Sequence, residues 1–322
     1  MIVVLTGGTG GAKLVQGLAL ILPPAELTIV VNTGDDLVWW GLHVSPDLDT
    51  ITYGLSGRLS IERGWGVDGD SFHCREAMGS LGSPVWFQLG DRDLATHLVR
   101  TQLMTAGRTL SQATEHITRG LGIGSRVLPM TDSTVETRVM TPQGELSFQE
   151  YFVRDRFRPE VSGVRFAGAE QARPAPGVIE AIECAAAVVL APSNPVTSIG
   201  PILAVPGIRE ALLRTRAPAV AVSPLVGNAA VSGPTGNLMR SQGLPVSLEG
   251  IIRCYDDFLD LLLVDSRDAL NAAGNELFNV PLHASNIVMK SESEKVELAR
   301  QTLLAAHAIT PRDRTTLKRH EA

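Results

Sequence analysis

The sequence predicts an α/β fold: a Rossmann-like, doubly wound, mainly parallel sheet with an inserted helical and β-hairpin subdomain. Short unbroken apolar runs rich in β-branched residues recur at residues 2–5, 27–31, 187–190, 219–222 and 261–264, as strands buried on both faces require. Helix-like segments separate them. Glycine (31) and proline (19) are plentiful while aromatic residues make up only 5%, a balance suited to loops that hold ligands through main-chain amides.

Taken in order, residues 2–5 read as a buried strand running into glycines, and residues 12–22 as a helix stopped by Pro23-Pro24. Residues 27–31 are the next strand, completing a right-handed βαβ unit. Between about residues 57 and 122 the pattern is mostly helical, and in residues 94–104 Leu94, Leu98, Val99 and Leu103 place an apolar stripe on one side. Residues 135–140 and 145–152 flank Thr141-Pro142-Gln143-Gly144, a hairpin signal. These readings put a nucleotide-binding core at residues 1–57 and 176–310, the insert at 58–175 and a tail at 311–322. In the tail, Arg312, Arg314, Lys318, Arg319 and His320 read as a solvated end.

With 322 residues, 44% hydrophobic and 19% charged, the composition excludes a disordered or collagenous chain. A net charge of −6 provides no basic field for nucleic acid. Three separated cysteines, Cys74, Cys184 and Cys254, form no CxxC pair and fit a reducing compartment. The start has no basic region and no apolar run nears the ~18 residues of a membrane span, so a cytoplasmic location without membrane attachment is expected.

Residues Thr6 to Lys13 read TGGTGGAK. Backbone amides of Gly7, Gly8, Thr9, Gly10 and Gly11 at a helix start, with Lys13 as a point charge, suit an anion; a tight turn for helix–sheet packing uses the same letters. The loop is not a Walker A, because Ala12-Lys13-Leu14 stands where Gly-Lys-Ser/Thr is needed. Lys13 also breaks the dinucleotide fingerprint, which argues against a nicotinamide oxidoreductase.

The second strand ends in Asn32-Thr33-Gly34-Asp35-Asp36, and Ser45-Pro46-Asp47-Leu48-Asp49-Thr50 follows. Asp36 and Asp49 could hold a divalent cation that bridges phosphates. The second segment is equally a helix start, with Ser45 as N-cap, Pro46 at the first position and acids in the first turn. Asp35 and Asp36 also suit a solvated turn or a ribose hydroxyl. Arg92, between Asp91 and Asp93, is either a neutralised surface turn or a guanidinium reaching over the sheet edge. His97 has no partner at metal-ligand spacing and is assigned to packing or hydrogen bonding. Loops after the later strands, Pro192-Ser193-Asn194, Thr197-Ser198-Ile199-Gly200, Ser223 to Asn228 and Ser232 to Gly236, offer amides and hydroxyls without a carboxylate. No Ser-His-Asp constellation with elbow spacing is present.

These pieces in this order resemble the 2-phospho-L-lactate transferase family of coenzyme F-420 biosynthesis, over nearly the whole chain: TGGTGGAK, VVNTGDD, SPDLDT, RGWG, LGDRDLATHLVR, APSNPVTSIGPI, AVSPLVGNAAVSGPTG and YDDFLD. The resemblance implies transfer of a phospho-acid group (2-phospho-L-lactate, phosphoenolpyruvate or 3-phosphoglycerate) from a GDP-linked donor to the terminal ribityl hydroxyl of the deazaflavin Fo, with release of GMP. It implies Mg²⁺ on Asp36 and Asp49, with Asp35 and Asp47 as further candidates, and it makes Asp49 and Arg92 the Fo-contacting residues. Gly7 to Lys13 with Ser193, Asn194, Ser198 and Gly200 become the phosphate and nucleotide contacts. A homodimer is the implied assembly. The competing expectation is a non-catalytic regulator of the same fold that binds a nucleotide or nucleotide sugar; it needs the anion loop but not the acids.

Overall fold

A computed structural model describes residues 1–227, 229–230, 233–268, 280–311 and 314. Of the sequence features singled out above, Asn228, Ser232 and the tail residues Arg312, Lys318, Arg319 and His320 lie outside the described residues.

Seven strands build the central sheet: β1 (Ile2–Thr6), β2 (Leu27–Val31), β3 (Arg126–Pro129), β4 (Ala187–Leu190), β5 (Ala219–Val222), β6 (Leu261–Asp265) and β7 (Leu282–Ser285). They lie in the order β3-β2-β1-β4-β5-β6-β7, and every neighbouring pair is parallel. This is the doubly wound order, and its direction of winding reverses between β1 and β4. Successive residues alternate between two cores. Val3, Leu5, Val30, Val188 and Leu190 face one side with Ile182, Ile202 and Leu212, while Ile2, Val4, Ile29, Val31 and Val189 face the other. There they meet α1 (Gly8–Ile21), α2 (Pro46–Leu55) and the helix Glu292–Ala308 through Leu14, Leu18, Leu48, Ile51 and Leu298. Burial on both faces explains why the strands read as unbroken apolar runs.

The insert carries α3 (His73–Ser80), α4 (Asp93–Thr105) and α5 (Leu110–Gly120), followed by an antiparallel hairpin of Glu136–Thr141 with Gly144–Ser147, to which Gly163–Ala167 adds a third strand. Its own small core gathers Trp39, Val44, Phe87, Leu89 and Leu94. Among the described residues no single helix is long and apolar enough to cross a membrane.

Several local expectations change. The first helix begins at Gly8 rather than Ala12, so most of the glycine run is its first turn. Arg126–Pro129, within the stretch read as insert, is an edge strand of the central sheet; its first residue is exposed and its run too short to show. β7 was equally unreadable, because Leu-His-Ala-Ser is mixed in polarity and only partly buried. The second hairpin strand ends at Ser147, after which Glu150–Arg154 coils into a wide turn. A tight hairpin, Leu37–Trp39 with Leu42–Val44, turns on Trp40 and Gly41, both at positive φ (52° and 79°). Most instructive is α4. Leu98 and Val99 of the expected apolar stripe are 55% and 36% exposed, while Asp93, His97 and Arg100 are buried instead. Arg314 is not a solvated tail residue: it is buried, pairs with Asp260 and donates to the carbonyls of Leu212 (2.7 Å), Thr215 (3.0 Å) and Ala217 (3.1 Å).

Candidate functional site

A cavity of about 740 Å³ opens at the carboxyl edge of the sheet, where the loops after β1 and β4 face each other. That crevice is where open α/β sheets place ligands. The two loops are stapled together. Ser193 Oγ donates to the Gly7 carbonyl (2.6 Å) and accepts from the Gly7 amide (3.3 Å). Close approach forbids side chains here: a Cβ on Gly7 would lie 2.5 Å from Asp47 Oδ2, and one on Gly10 would run into the Pro192 carbonyl. Gly8 adopts φ +67°, a conformation that favours glycine.

Gly7, Gly8, Thr9, Gly10 and Lys13 line the cavity, as do Ser193, Asn194 and Ser198. Gly11 does not; its Cα is packed against Thr6 and Ser193 Oγ. Gly200 also sits off the wall, against Phe166 and the Pro195 carbonyl. Asn194 shapes its own turn, its Oδ1 accepting from the amides of Val196 (2.9 Å) and Thr197 (3.2 Å).

The four aspartates do not converge on one point. Asp47 holds the start of α1: its Oδ1 accepts from the Gly8 amide (2.7 Å) and its Oδ2 from Asn32 Nδ2 (2.9 Å). A carboxylate thus already occupies part of the amide cradle that the sequence assigned to an anion. Asn32, fully buried, also donates to the Thr197 carbonyl (3.3 Å) and accepts from the Gly34 amide (2.8 Å), tying three loops together. Asp36 is turned away from the cavity wall, accepting from Ser45 Oγ (2.7 Å) and lying 3.0 Å from His43 Nε2. Ser45 therefore spends its hydroxyl on Asp36 rather than on capping α2. Asp35 faces the cavity, and its buried Oδ1 has no well-aligned hydrogen-bond partner.

Burial, followed by the charge of Asp47, holds the Asp35 carboxyl well above the ordinary range. Burial also pushes Asp47 up to about 6, with Asp36 and Asp49 adding to it and the Asn32 and Gly8 bonds opposing it. Asp36 is raised by burial as well, against hydrogen bonding from His43. Among the described residues, no group of three or more His, Cys, Asp or Glu gathers as a metal cage.

Asp49 belongs to a different network. Both its oxygens face Arg100 of α4: Nη1 reaches Oδ2 at 3.2 Å and Nη2 bonds Oδ1. Arg100 Nη1 also lies 3.3 Å from His97 Nδ1. An arginine only donates, so His97 Nδ1 accepts and its proton sits on Nε2, which is 3.2 Å from Asp93 Oδ1 but off the line of a hydrogen bond. Asp93 Oδ1 accepts from the Tyr53 hydroxyl at 2.6 Å. Burial would raise the Asp93 carboxyl, but His97 and Tyr53 outweigh it and hold the group below its usual value. The Tyr53 phenol is raised well above its usual value by burial and by the charges of Asp49 and Asp93. Asp49, Tyr53, Asp93 and His97 all line the cavity.

Arg92 does not. It is exposed at the start of α4, and its Nη1 donates to the Asp68 carbonyl (3.3 Å). Sequence reasoning missed Arg100, Tyr53, Asn32 and the burial of Asp93. One signal was available: Asp93, His97 and Arg100 stand at i, i+4 and i+7, a single helix face.

A parallel doubly wound sheet with amides, hydroxyls and carboxylates around a cavity at its switch point places this chain among the α/β proteins that bind ligands at that crevice. A family profile described as "2-phospho-L-lactate transferase CofD" matches residues 2–304, and the chain belongs to that family. It is 43% identical over 297 residues to a 2-phospho-L-lactate transferase of Methanosarcina acetivorans, covering 92% of this chain and 96% of that protein. It is 44% identical over 314 residues to a phosphoenolpyruvate transferase of Streptomyces griseus subsp. griseus, covering 96% and 99%. Two crystal structures of a Bacillus halodurans protein, one described as a UPF0052 family member, share the fold at 17% identity. Their TM-scores are 0.61 and 0.64, over 94% of this chain and 98% of the other.

Proposed function

We propose that this chain transfers a phospho-acid group from a GDP-linked donor to the terminal ribityl hydroxyl of the deazaflavin Fo and releases GMP, in biosynthesis of coenzyme F-420. The observation that carries the reading is the meeting, in one cavity, of an amide- and hydroxyl-lined loop edge with Asp49, which Arg100 holds from behind the wall. Family membership supplies the reaction type; relatives are named for 2-phospho-L-lactate and phosphoenolpyruvate, and 3-phosphoglycerate is the third donor acid we propose to test.

In this reading the hydroxyl oxygen attacks the phosphorus that bears the acid, the bond from that phosphorus to the oxygen of the GMP phosphate breaks, and GMP carries the electron pair away. Such transfers ask the protein chiefly for positioning and charge stabilisation. The edge formed by Gly7 to Gly10, Lys13, Ser193, Asn194 and Ser198 holds the donor's diphosphate. Tyr53, Trp65 and Phe87, on the insert side of the wall, offer apolar and aromatic surface to the deazaflavin ring. Asp49, oriented by Arg100, accepts a hydrogen bond from the hydroxyl and takes its proton as the new P–O bond forms.

Mg²⁺ fits Asp35 and Asp47 better than Asp36 and Asp49. Both face the cavity, which Asp36 does not; Asp35 has a buried oxygen without an aligned partner, and among the described residues neither is paired with arginine as Asp49 is. Bound there, Mg²⁺ would neutralise diphosphate charge. The test is to combine the protein with Fo, Mg²⁺ and each of the three GDP-linked acids, and to identify products by mass spectrometry. GMP and a phosphodiester of Fo are expected from at least one donor. Nucleotide binding without product from any donor would overturn the reading in favour of a binding regulator.

A further inference from the structure

We infer that Arg100 is the positioning residue of this site, acting on the reaction through Asp49; the inference rests on the transferase reading above. Asp49 is 5% exposed on α2, and Arg100 is 2% exposed on α4. The two helices come from different parts of the molecule, α2 from the core and α4 from the insert. Arg100 joins them with a two-pronged bond to the Asp49 carboxylate, and its Nη1 also reaches the His43 carbonyl at 3.4 Å. Such a fork fixes both the place and the plane of a carboxylate, which an ammonium cannot do.

The surroundings make the fork necessary. Asp36, Asp47 and Asp93 lie in the same region, and the Arg100 fork fixes which way the Asp49 carboxylate turns among them. Arg100 does not itself line the cavity, so its influence has to pass through Asp49 or His97, which do. His97, with Nδ1 accepting from Arg100, is held in a single tautomer and buttresses the guanidinium from the side of Asp93. The fork also anchors α4 to the sheet edge, and with it the insert's contribution to the cavity.

A double-mutant cycle tests this, using Arg100→Lys, Asp49→Asn and the double variant, each assayed with Fo, Mg²⁺ and the active GDP-linked donor. Rates are referred to the fraction of chain that binds GDP, so that partial misfolding does not count as lost catalysis. Arg100→Lys is expected to lower kcat about 10²-fold, the scale of a misplaced reacting group, while the KM for donor stays within about twofold. In the Asp49→Asn background the same lysine change is expected to cost less than about threefold, because the residue it positions is already disabled. Arg100→Gln, neutral and similar in size, is expected to fall at least as far as the lysine variant. Losses that multiply in the double variant, or a donor KM that rises in step with the fall in kcat, would mean that Arg100 serves the fold and not Asp49, and would overturn the inference. A wild-type chain inactive with every donor would instead sink the transferase reading and this inference together.

Discussion

On the sheet side of the cavity, backbone is held by short buried side chains: Ser193 clamps Gly7, Asn32 ties three loops, and the Pro192 carbonyl stands where a Gly10 side chain would begin. On the insert side the wall is made of charged and aromatic side chains, with Asp93 and His97 on one face of α4 and Arg100 of the same face behind them. The first side tolerates no added atom, whereas the second tolerates no lost partner. The difference suits the proposed chemistry, in which a diphosphate common to all donors meets fixed amides while an aromatic acceptor meets side chains able to adjust.

The largest effect is expected from adding one methyl group on the sheet side. In Gly7→Ala the new carbon would stand 2.5 Å from Asp47 Oδ2 and 2.9 Å from Ser198 Cβ. Turnover should fall by about 10²-fold or more, with about 1–3 kcal/mol of lost stability from overpacking. Wild-type kinetics in that variant would break the claim that this side is closed to added atoms.

Removing one partner on the insert side should cost less. Tyr53→Phe deletes the hydroxyl bonded to Asp93 at 2.6 Å and leaves His97 beside the same carboxylate. A roughly tenfold drop in kcat with about 1 kcal/mol of destabilisation is expected, read by steady-state kinetics and thermal unfolding.

Between the two sides lie Asp35 and Asp47, and their charge sets a pH dependence. Both are raised in the folded chain, so at these two groups the folded state binds more protons than the unfolded one, and their contribution to metal-free stability falls as pH climbs. For Asp47 the window runs from its ordinary 3.8 to about 6. Measured in a chelator against Asp35→Asn, the melting temperature of the unsubstituted chain should lose a few degrees as pH rises through and beyond that range. A melting temperature that rises equally in both proteins would contradict the assignment. The smallest effect belongs to Arg92. Exposed and bonded to the Asp68 carbonyl, it should tolerate Arg92→Met with less than about threefold change in kcat, and any cost should fall on acceptor KM.

The strands and the switch-point loops were legible because burial on both faces writes continuous apolar runs, and close backbone approach writes glycine and proline between them. Edge strands were not: both are four residues long, Arg126–Pro129 starting on an exposed arginine and Leu282–Ser285 mixed in polarity and only partly buried, so neither carries a period. The sheet half of the site followed from its glycines and hydroxyls, although Gly11 and Gly200 proved to be packing positions and Asp36 a partner of His43. The insert half stayed hidden because a buried charge pair looks, letter by letter, like an ordinary solvated helix. Arg92 stands out beside its aspartates, whereas Arg100, two turns further along α4, carries no local mark of its partner on α2.

A crystal structure of the protein with Fo and GDP would test the central claim, that donor and acceptor meet across these two unlike walls. The terminal ribityl hydroxyl of Fo should lie within hydrogen-bond reach of Asp49, with the GDP phosphates over Gly7 to Gly10 and Asn194. Fo seated instead among Ser223, Pro224 and Thr235, with Asp49 contacting neither ligand, would contradict it.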